Sequence, residues 1–552
     1  MAHAPHPHAR KPGTHAKHHR SRPHAKHRRG RHPHGHHPGA AAHGPKRRPA
    51  TLAPAARQPL PSSPAPAPVG APAPPPDPSN APVPTFTESP SVAHMERLLW
   101  RAGFGPSPGQ AQALAQGSIQ RAVLGLTRPN GPASLVGPTP HDENGRPLAP
   151  ADAWGHDHCF WLDRMVRSDQ PLVERMALLW HDWFATSNEG VNKQQLMLDQ
   201  TDTFRQLGLG SFDDLFLAVT RDPAMLTWLN GTSNSVWEPN ENYAREMMEL
   251  FSLGAERGAY TEGDVRQMAR ALTGWRSDWT AELGEHNFRY DPTWHDSAAK
   301  TVFGQTGAFD WTDAVRLCVG HPLHASFFVT KLWGYFVPTP PDQTTLASLQ
   351  GLYNSSGHSI RAVVEAILQH PALYDGAEMV SQPVVYNAGL LRARGRGIDT
   401  TAWTWQGATA GQQLYYPPNV AGWDFSRWLD TSTVRGRWQL ANSVAMTSVE
   451  NPWPNTGGYD ATEDAATAVG RAMAYWGNPA ISTASQNVIA AFRSSSTSGR
   501  DGRLAAVALP RHAPERPAHA HRHQRRHVGS VRNLPRQQPP SATSTFPTSD
   551  SS

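Results

Sequence analysis

The sequence predicts a mainly α fold: a single multi-helical globular domain over residues 88–495, between disordered N- and C-terminal tails. Three observations carry this. In the middle of the chain apolar residues recur at the three- and four-residue spacing of amphipathic helices. All 19 tryptophans lie between Trp100 and Trp476, so the bulkiest core formers are confined to that stretch. The 52 prolines are concentrated before residue 90, in segments with no period of either kind.

Residues 1–50 are a basic His/Arg/Pro-rich tract without one Asp or Glu, and residues 51–87 are a Pro/Ala-rich linker. Such segments hold too little apolar surface to offset the entropy of ordering, and the linker favours extended polyproline II. Order is expected from Ser91. Val92, Met95, Leu98, Leu99 and Ala102 share a helix face, which Gly103 and Gly105-Pro106 end. A second helix is expected over 108–126 and a Gly/Pro/Asn loop over 127–150. Residues 151–168 read as a helix, and Pro171 suits the first turn of the next, PLVERMALLWHDWFATS. Further helices are expected over 190–208 and 211–220, with a turn at Asp222-Pro223. NENYAREMMELFSL, over 240–253, is stopped by Gly254 in a C-cap position. Thr261 and Asp264 then form a capping box for TEGDVRQMARALTGW. Residues 285–310 are irregular or short-stranded. Helices resume over 311–319, 322–336, 343–355, 358–370 and about 380–395. QLYYPPNVAGWDFSRW is a loop, and 431–448 and 461–475 are again helical. Residues 496–552 turn abruptly to an aperiodic Arg/His/Pro/Ser composition. They read as a disordered tail, or as an out-of-frame replacement of a last helix.

Most of the basic excess behind the net charge of +6 comes from the first fifty residues, so it speaks for a polyanion- or metal-contacting tail and not for a nucleic-acid-binding fold. Two cysteines, Cys159 and Cys318, are too few for a disulfide scaffold and read as small buried hydrophobes. No apolar run is long enough to span a membrane, and the basic start is followed by no apolar signal core. As written the chain reads as cytoplasmic; a misplaced start codon would hide an export signal.

The motifs AHMERLLWRAGFGPSP, ERMALLWHDWFATS, DPAMLTWLNG, NENYAREMMELFSLG, YTEGDVRQMARALTGW, HDSAAKTVFGQTGAFD, KLWGYFV and PPNVAGWDFSRW occur in this order. Together, over residues 91–445, they resemble the bacterial domain-of-unknown-function family 1800. The resemblance implies a mostly helical fold and carries no activity. In relatives a second His often stands where this chain has Trp183, which counts against a metal site there. Many relatives are exported.

Several constellations are candidates for chemistry. His181-Asp182 offers a general base or metal ligand; the structural alternative is a hydrogen-bonded His at a helix contact. Glu241, Arg245 and Glu249 stand at i,i+4 spacing and suit an ion-paired stripe, while Glu246 and Glu249 converge as a pair for a divalent cation would. The Glu-x-x-His partner of a di-metal helical site is absent. His295, Asp296 and Lys300 lie in an irregular segment, where catalytic groups tend to lie or where polar side chains simply bond the local backbone. Tyr415 to Trp423 offers aromatic rings for stacking or for the core. The His-rich tail suits loose binding of metal ions or polyanions. No G-x-S-x-G elbow, P-loop or dinucleotide fingerprint occurs.

Two functions remain. One is a binding or scaffold domain of the cell envelope or cytoplasm. The other is a cation-assisted hydrolase of a glycan or similar polymer, using His181, Asp182, Arg245, Glu246, His295, Asp296 and Lys300, with Glu246 and Glu249 as metal ligands. The hydrolase reading requires His181, the 242–249 helix and the 295–300 loop to meet in one polar cleft.

Overall fold

The computed structural model describes residues 81–148, 153–446 and 481–496, with isolated positions between 466 and 473. The fold is mainly α, with two small antiparallel strand pairs. Expectations for residues 1–80, most of 461–475 and 497–552 lie outside the described residues.

Helices begin where side-chain caps begin. Ser91 accepts from the His94 amide ahead of Val92–Arg101, and Thr261 and Asp264 close both arms of the capping box ahead of Glu262–Ala271. The fold reaches slightly into the expected linker. The Phe86 amide donates to Gln369 O, and its ring meets Tyr374 at 4.9 Å. The expected helix over 108–126 is two, Gln110–Leu114 and Ile119–Thr127, because Ser118 caps a new start. Asp222-Pro223 is not only a turn: Asp222 accepts from Met225 N and starts Pro223–Trp228. Thr273 to Trp275 leave the predicted helix, and Trp275–Thr280 (β1) pairs with Gly284–Tyr290 (β2). Lys300–Val302 (β3) pairs with Gln305–Gly307 (β4). Helices not expected include Pro371–Asp375, Ala402–Thr409, Thr483–Ser496 and, within the expected loop, the short turn of helix Phe425–Leu429.

The core is aromatic. Trp180 meets Trp183 at 5.3 Å, Phe184 meets Phe212 at 6.2 Å, and Phe212 meets Phe328 at 4.9 Å. Each such ring buries about 150–250 Å². Two of these indoles find carbonyls: Trp180 donates to Gly208 O and Trp183 to Phe251 O. Both cysteines are free and buried, with thiols pushed up to about 12 by burial.

Met247–Leu253 is a π-helix that continues Glu241–Glu246. Its terminal carbonyls lack helix partners, and side chains from elsewhere supply them. Leu250 O accepts from Lys331 Nζ, Phe251 O from Trp183, Ser252 O from His324 Nδ1, and Leu253 O from Arg257. Two of these donors, Lys331 and Arg257, carry the positive charge that a helix C-terminus favours, while the buried His324 donates as a neutral ring.

Candidate functional site

The three expected catalytic groups sit in three separate settings. None of their hydrogen bonds or ion pairs joins one group to another.

His181 is fully buried in Pro171–Trp183. The rings of Trp161, Tyr415 and Trp423 surround it at 5.4 Å each, and neither ring nitrogen has a hydrogen-bond partner. Burial pulls its pKa down to about 3, so it is neutral in this setting. Asp182, next to it, points elsewhere. Its carboxylate accepts from Tyr335 Oη at 2.6 Å and from the Trp423 amide at 2.8 Å, and burial raises its pKa despite both bonds.

Arg245 pairs with Glu241 as expected, but its other partner is Glu262, at 2.8 Å through both terminal nitrogens. The expected Arg245–Glu249 pair does not form. The π-helix starts at Met247, so Glu249 is not displaced from Arg245 by an ordinary α turn. Glu249 instead accepts from Tyr260 Oη at 3.4 Å. Glu246 is half-buried, and burial, then Glu249, raises its pKa. Among the described residues no group of three or more His, Cys, Asp or Glu is placed to hold a metal ion.

The third group binds its own backbone. Lys300 Nζ donates to Asp296 O and Ala298 O. Asp296 accepts from Arg270 at 2.6 Å and from the Ala298 amide, and His295 Nδ1 lies 3.0 Å from Thr273 O. These bonds fasten the turn before β3 to the end of Glu262–Ala271.

A different cleft was not legible in the sequence. Arg175, Tyr335, Glu378, Gln382, Phe425 and Trp428 line it, together with Met379, Val380 and others. Its walls come from segments far apart in the chain, three of them in the quoted motifs ERMALLWHDWFATS, KLWGYFV and PPNVAGWDFSRW. Phe425 stacks on Trp428 at 4.6 Å and meets Tyr335 edge-on at 6.0 Å. Asp182 stands behind the wall, gripping Tyr335. Gly422 permits that grip: its φ is +88°, and a Cβ there would lie 2.3 Å from Asp182 Oδ1. Gly422→Ala should therefore cost at least about 2 kcal/mol, from left-handed strain plus a lost buried hydrogen bond, read as a shift in urea midpoint. A change under about 0.5 kcal/mol would show that the loop is not held there.

Arg175 is the unusual member. It is 7% exposed, makes no hydrogen bond among the described residues, and its Nη1 is wholly buried without a partner. Burial, then Arg101, pulls its pKa down to about 10, so it stays charged at neutral pH. A buried guanidinium ordinarily has a carboxylate or a set of carbonyls around it. Arg175 has the cleft.

No curated protein and no solved structure matches the chain. Residues 97–515 match the model of one family, described as protein of unknown function (DUF1800), which runs past the domain end expected at residue 495. That match takes in most of the chain and every wall of the cleft, so the chain belongs to the DUF1800 family.

Proposed function

We propose that this chain is a ligand-binding domain whose cleft, between Arg175 and the Phe425–Trp428 pair, takes a ligand carrying an anionic group. The observation that carries this is the buried, unpartnered Arg175 facing an open, partly aromatic cleft. A charge kept out of water without a counter-ion is costly, and an anion arriving in the cleft relieves that cost. The cation-assisted hydrolase gains no support from the geometry, because its candidate groups bond to separate partners and do not line this cleft. The helical domain is proposed to act with the His/Arg-rich tail as a separate, loosely metal- or polyanion-contacting element.

Arg175→Met tests the reading. The methionine fills most of the same volume without the charge. Anion-dependent stabilisation should vanish, while the ligand-free protein should gain about 1–4 kcal/mol, the range seen when buried charges give way to apolar side chains. Thermal melts of both proteins across a series of small anions supply the readout. Equal anion response in the two proteins would remove Arg175 from the site.

A further inference from the structure

A second side chain lines the cleft with an unused donor. Gln382 is 6% exposed and stands just ahead of the helix Pro383–Arg394. Its amide is held by one end. The Val384 amide donates to Gln412 Oε1 at 3.2 Å, which leaves Gln412 its Nε2 end to give, and that end donates to Gln382 Oε1 at 3.2 Å. The backbone N–H at the head of this relay settles the orientation of both amides. Gln382 therefore turns its oxygen back to Gln412 and its NH2 group away from it. That NH2 group makes no hydrogen bond among the described residues, and its side chain caps nothing at the helix start. Unlike Arg175 Nη1, Gln382 Nε2 is not sealed from solvent, nor are Nε and Nη2 of Arg175. The open side of both residues is the cleft.

The other polar groups of the wall are engaged. Arg97 holds Glu378 at 2.5 Å, Asp182 holds the Tyr335 hydroxyl at 2.6 Å, and Asp424 holds the Ser426 hydroxyl at 2.6 Å. Met379, Val380 and the Phe425–Trp428 stack supply apolar surface. The cleft encloses about 370 Å³, at the small end of ligand pockets.

We propose that the ligand is a monocarboxylate that also carries a carbonyl oxygen and an apolar side group, the chemistry of an N-acylated amino acid or of a peptide's C-terminal residue. The carboxylate lies on Arg175, the carbonyl on Gln382 and the apolar group along Phe425 and Val380. This rests on the reading of the cleft given above. One planar fork satisfies one carboxylate. A primary amide has no charge to offer, so Gln382 selects a neutral acceptor and adds orientation to the attraction that Arg175 supplies. A ligand without that oxygen closes over the amide and leaves a nearly buried donor unmet, which costs affinity. Gln382 is thus a specificity-determining residue, and Gln412 is the positioning residue behind it.

Calorimetric titration of the full chain at pH 7.5 with N-acetylphenylalanine, its uncharged carboxamide and phenylpropionate tests this. Phenylpropionate keeps the carboxylate and the ring and lacks the amide. N-acetylphenylalanine should bind at least about fivefold tighter than phenylpropionate, and the carboxamide more weakly than either. Gln382→Leu should bring N-acetylphenylalanine down to the affinity of phenylpropionate and leave phenylpropionate within about twofold, whereas Arg175→Met should weaken both by at least about tenfold. Gln412→Glu can only accept, so it turns the Gln382 amide around and should erase the same preference. Near-ultraviolet circular dichroism checks that each variant is folded; if Gln382→Leu is not, Gln412→Glu decides. Acetyl-Ala-Ala-Phe distinguishes the two sources: binding at least about tenfold tighter than N-acetylphenylalanine assigns a peptide end, and equal binding assigns the free acylated amino acid. Equal wild-type affinity for N-acetylphenylalanine and phenylpropionate, or a preference that survives the glutamine variants, overturns the role of Gln382 and leaves the anion-binding cleft standing. Binding of none of the carboxylates, binding untouched by Arg175→Met, or a carboxamide bound as tightly as its acid overturns both readings.

Discussion

Replacing Glu174 by alanine is expected to destabilise the fold by about 3–5 kcal/mol, the cost of stripping one partner from a buried charge network. Glu174 is 1% exposed and serves three neighbours. It accepts from the Trp161 indole at 3.0 Å, from Arg164 Nε at 3.0 Å and from Arg205 Nε at 2.9 Å. Those residues stand on His156–Arg167 and Gln194–Leu207, while Glu174 stands on Pro171–Trp183, so one carboxylate ties three helices together. Arg164 can turn to water, its side chain being 26% exposed, but the Arg205 side chain is only 8% exposed. Without Glu174 that guanidinium keeps only the exposed Asp202. Glu174→Gln retains the shape and an acceptor and should lose less. A second substitution, Arg205→Met, should recover part of the loss by removing the stranded charge. Urea unfolding of the wild type, Glu174→Ala, Arg205→Met and the double variant measures the coupling; a loss under about 1 kcal/mol for Glu174→Ala would show that water reaches the network.

The sequence was most informative where structure is decided locally. A Thr three residues before an Asp needs only its own turn to form a capping box, and Thr261 and Asp264 form one. Gly254 likewise ends its helix with φ +88°, as a C-cap glycine can without strain. The π-helix at Met247–Leu253 depends on distant donors: Trp183, His324 and Lys331 arrive from other helices to satisfy its carbonyls, and no spacing within NENYAREMMELFSL announces them. The Ala402–Thr409 helix was missed for a related reason. AWTWQGAT is buried at Trp403, Thr404, Gln406 and Gly407, and these mixed polar and apolar residues leave no clean stripe.

The site was the least legible part, and the reason lies in what makes it a site. Sequence motifs drew attention to polar residues within apolar helices, and folding satisfies several of these: Asp182 by Tyr335, Asp296 by Arg270, Lys300 by two carbonyls, though His181 keeps both ring nitrogens unbonded. Arg175 stood in the same motif as His181, but nothing in ERMALLWHDWF says that its guanidinium lacks a partner. An unmet hydrogen bond is a property of every element around the group, so it becomes visible only once those elements are in place.

Acid should unfold this protein before its exposed carboxylates titrate, because three buried histidines resist protonation. His158 and His181 are held down to about 3 and His324 to about 4, in each case chiefly by burial, against 6.5 in the unfolded chain. Their environments differ. His324 is fully bonded, donating to Ser252 O and accepting from Tyr353 Oη, whereas His181 has only aromatic faces around it. The sign follows from the depressed pKa: below pH 6.5 the unfolded chain binds protons that the folded chain refuses. The stabilising contribution is therefore whole above pH 6.5 and is lost as the pH falls toward 4 and 3. Each histidine loses about 2 kcal/mol by pH 5. Asp222 works the other way. Burial raises it to about 7, so the folded chain takes up a proton there between pH 7 and 3.8, returning about 2.7 kcal/mol by pH 5. The raised Asp182 acts in the same direction as Asp222. His321 and His370, also lowered chiefly by burial, add to the three histidines, so on balance unfolding takes up protons and stability falls between pH 6 and 5. His181→Phe keeps a ring in the aromatic cage and removes one titrating group, so it should flatten that slope by about one proton while leaving stability at pH 8 within about 1 kcal/mol. Urea midpoints at half-unit steps from pH 8 to 5 give both numbers. An unchanged slope in His181→Phe would show that His181 takes up its proton in the folded state, and hence that its cage opens to water.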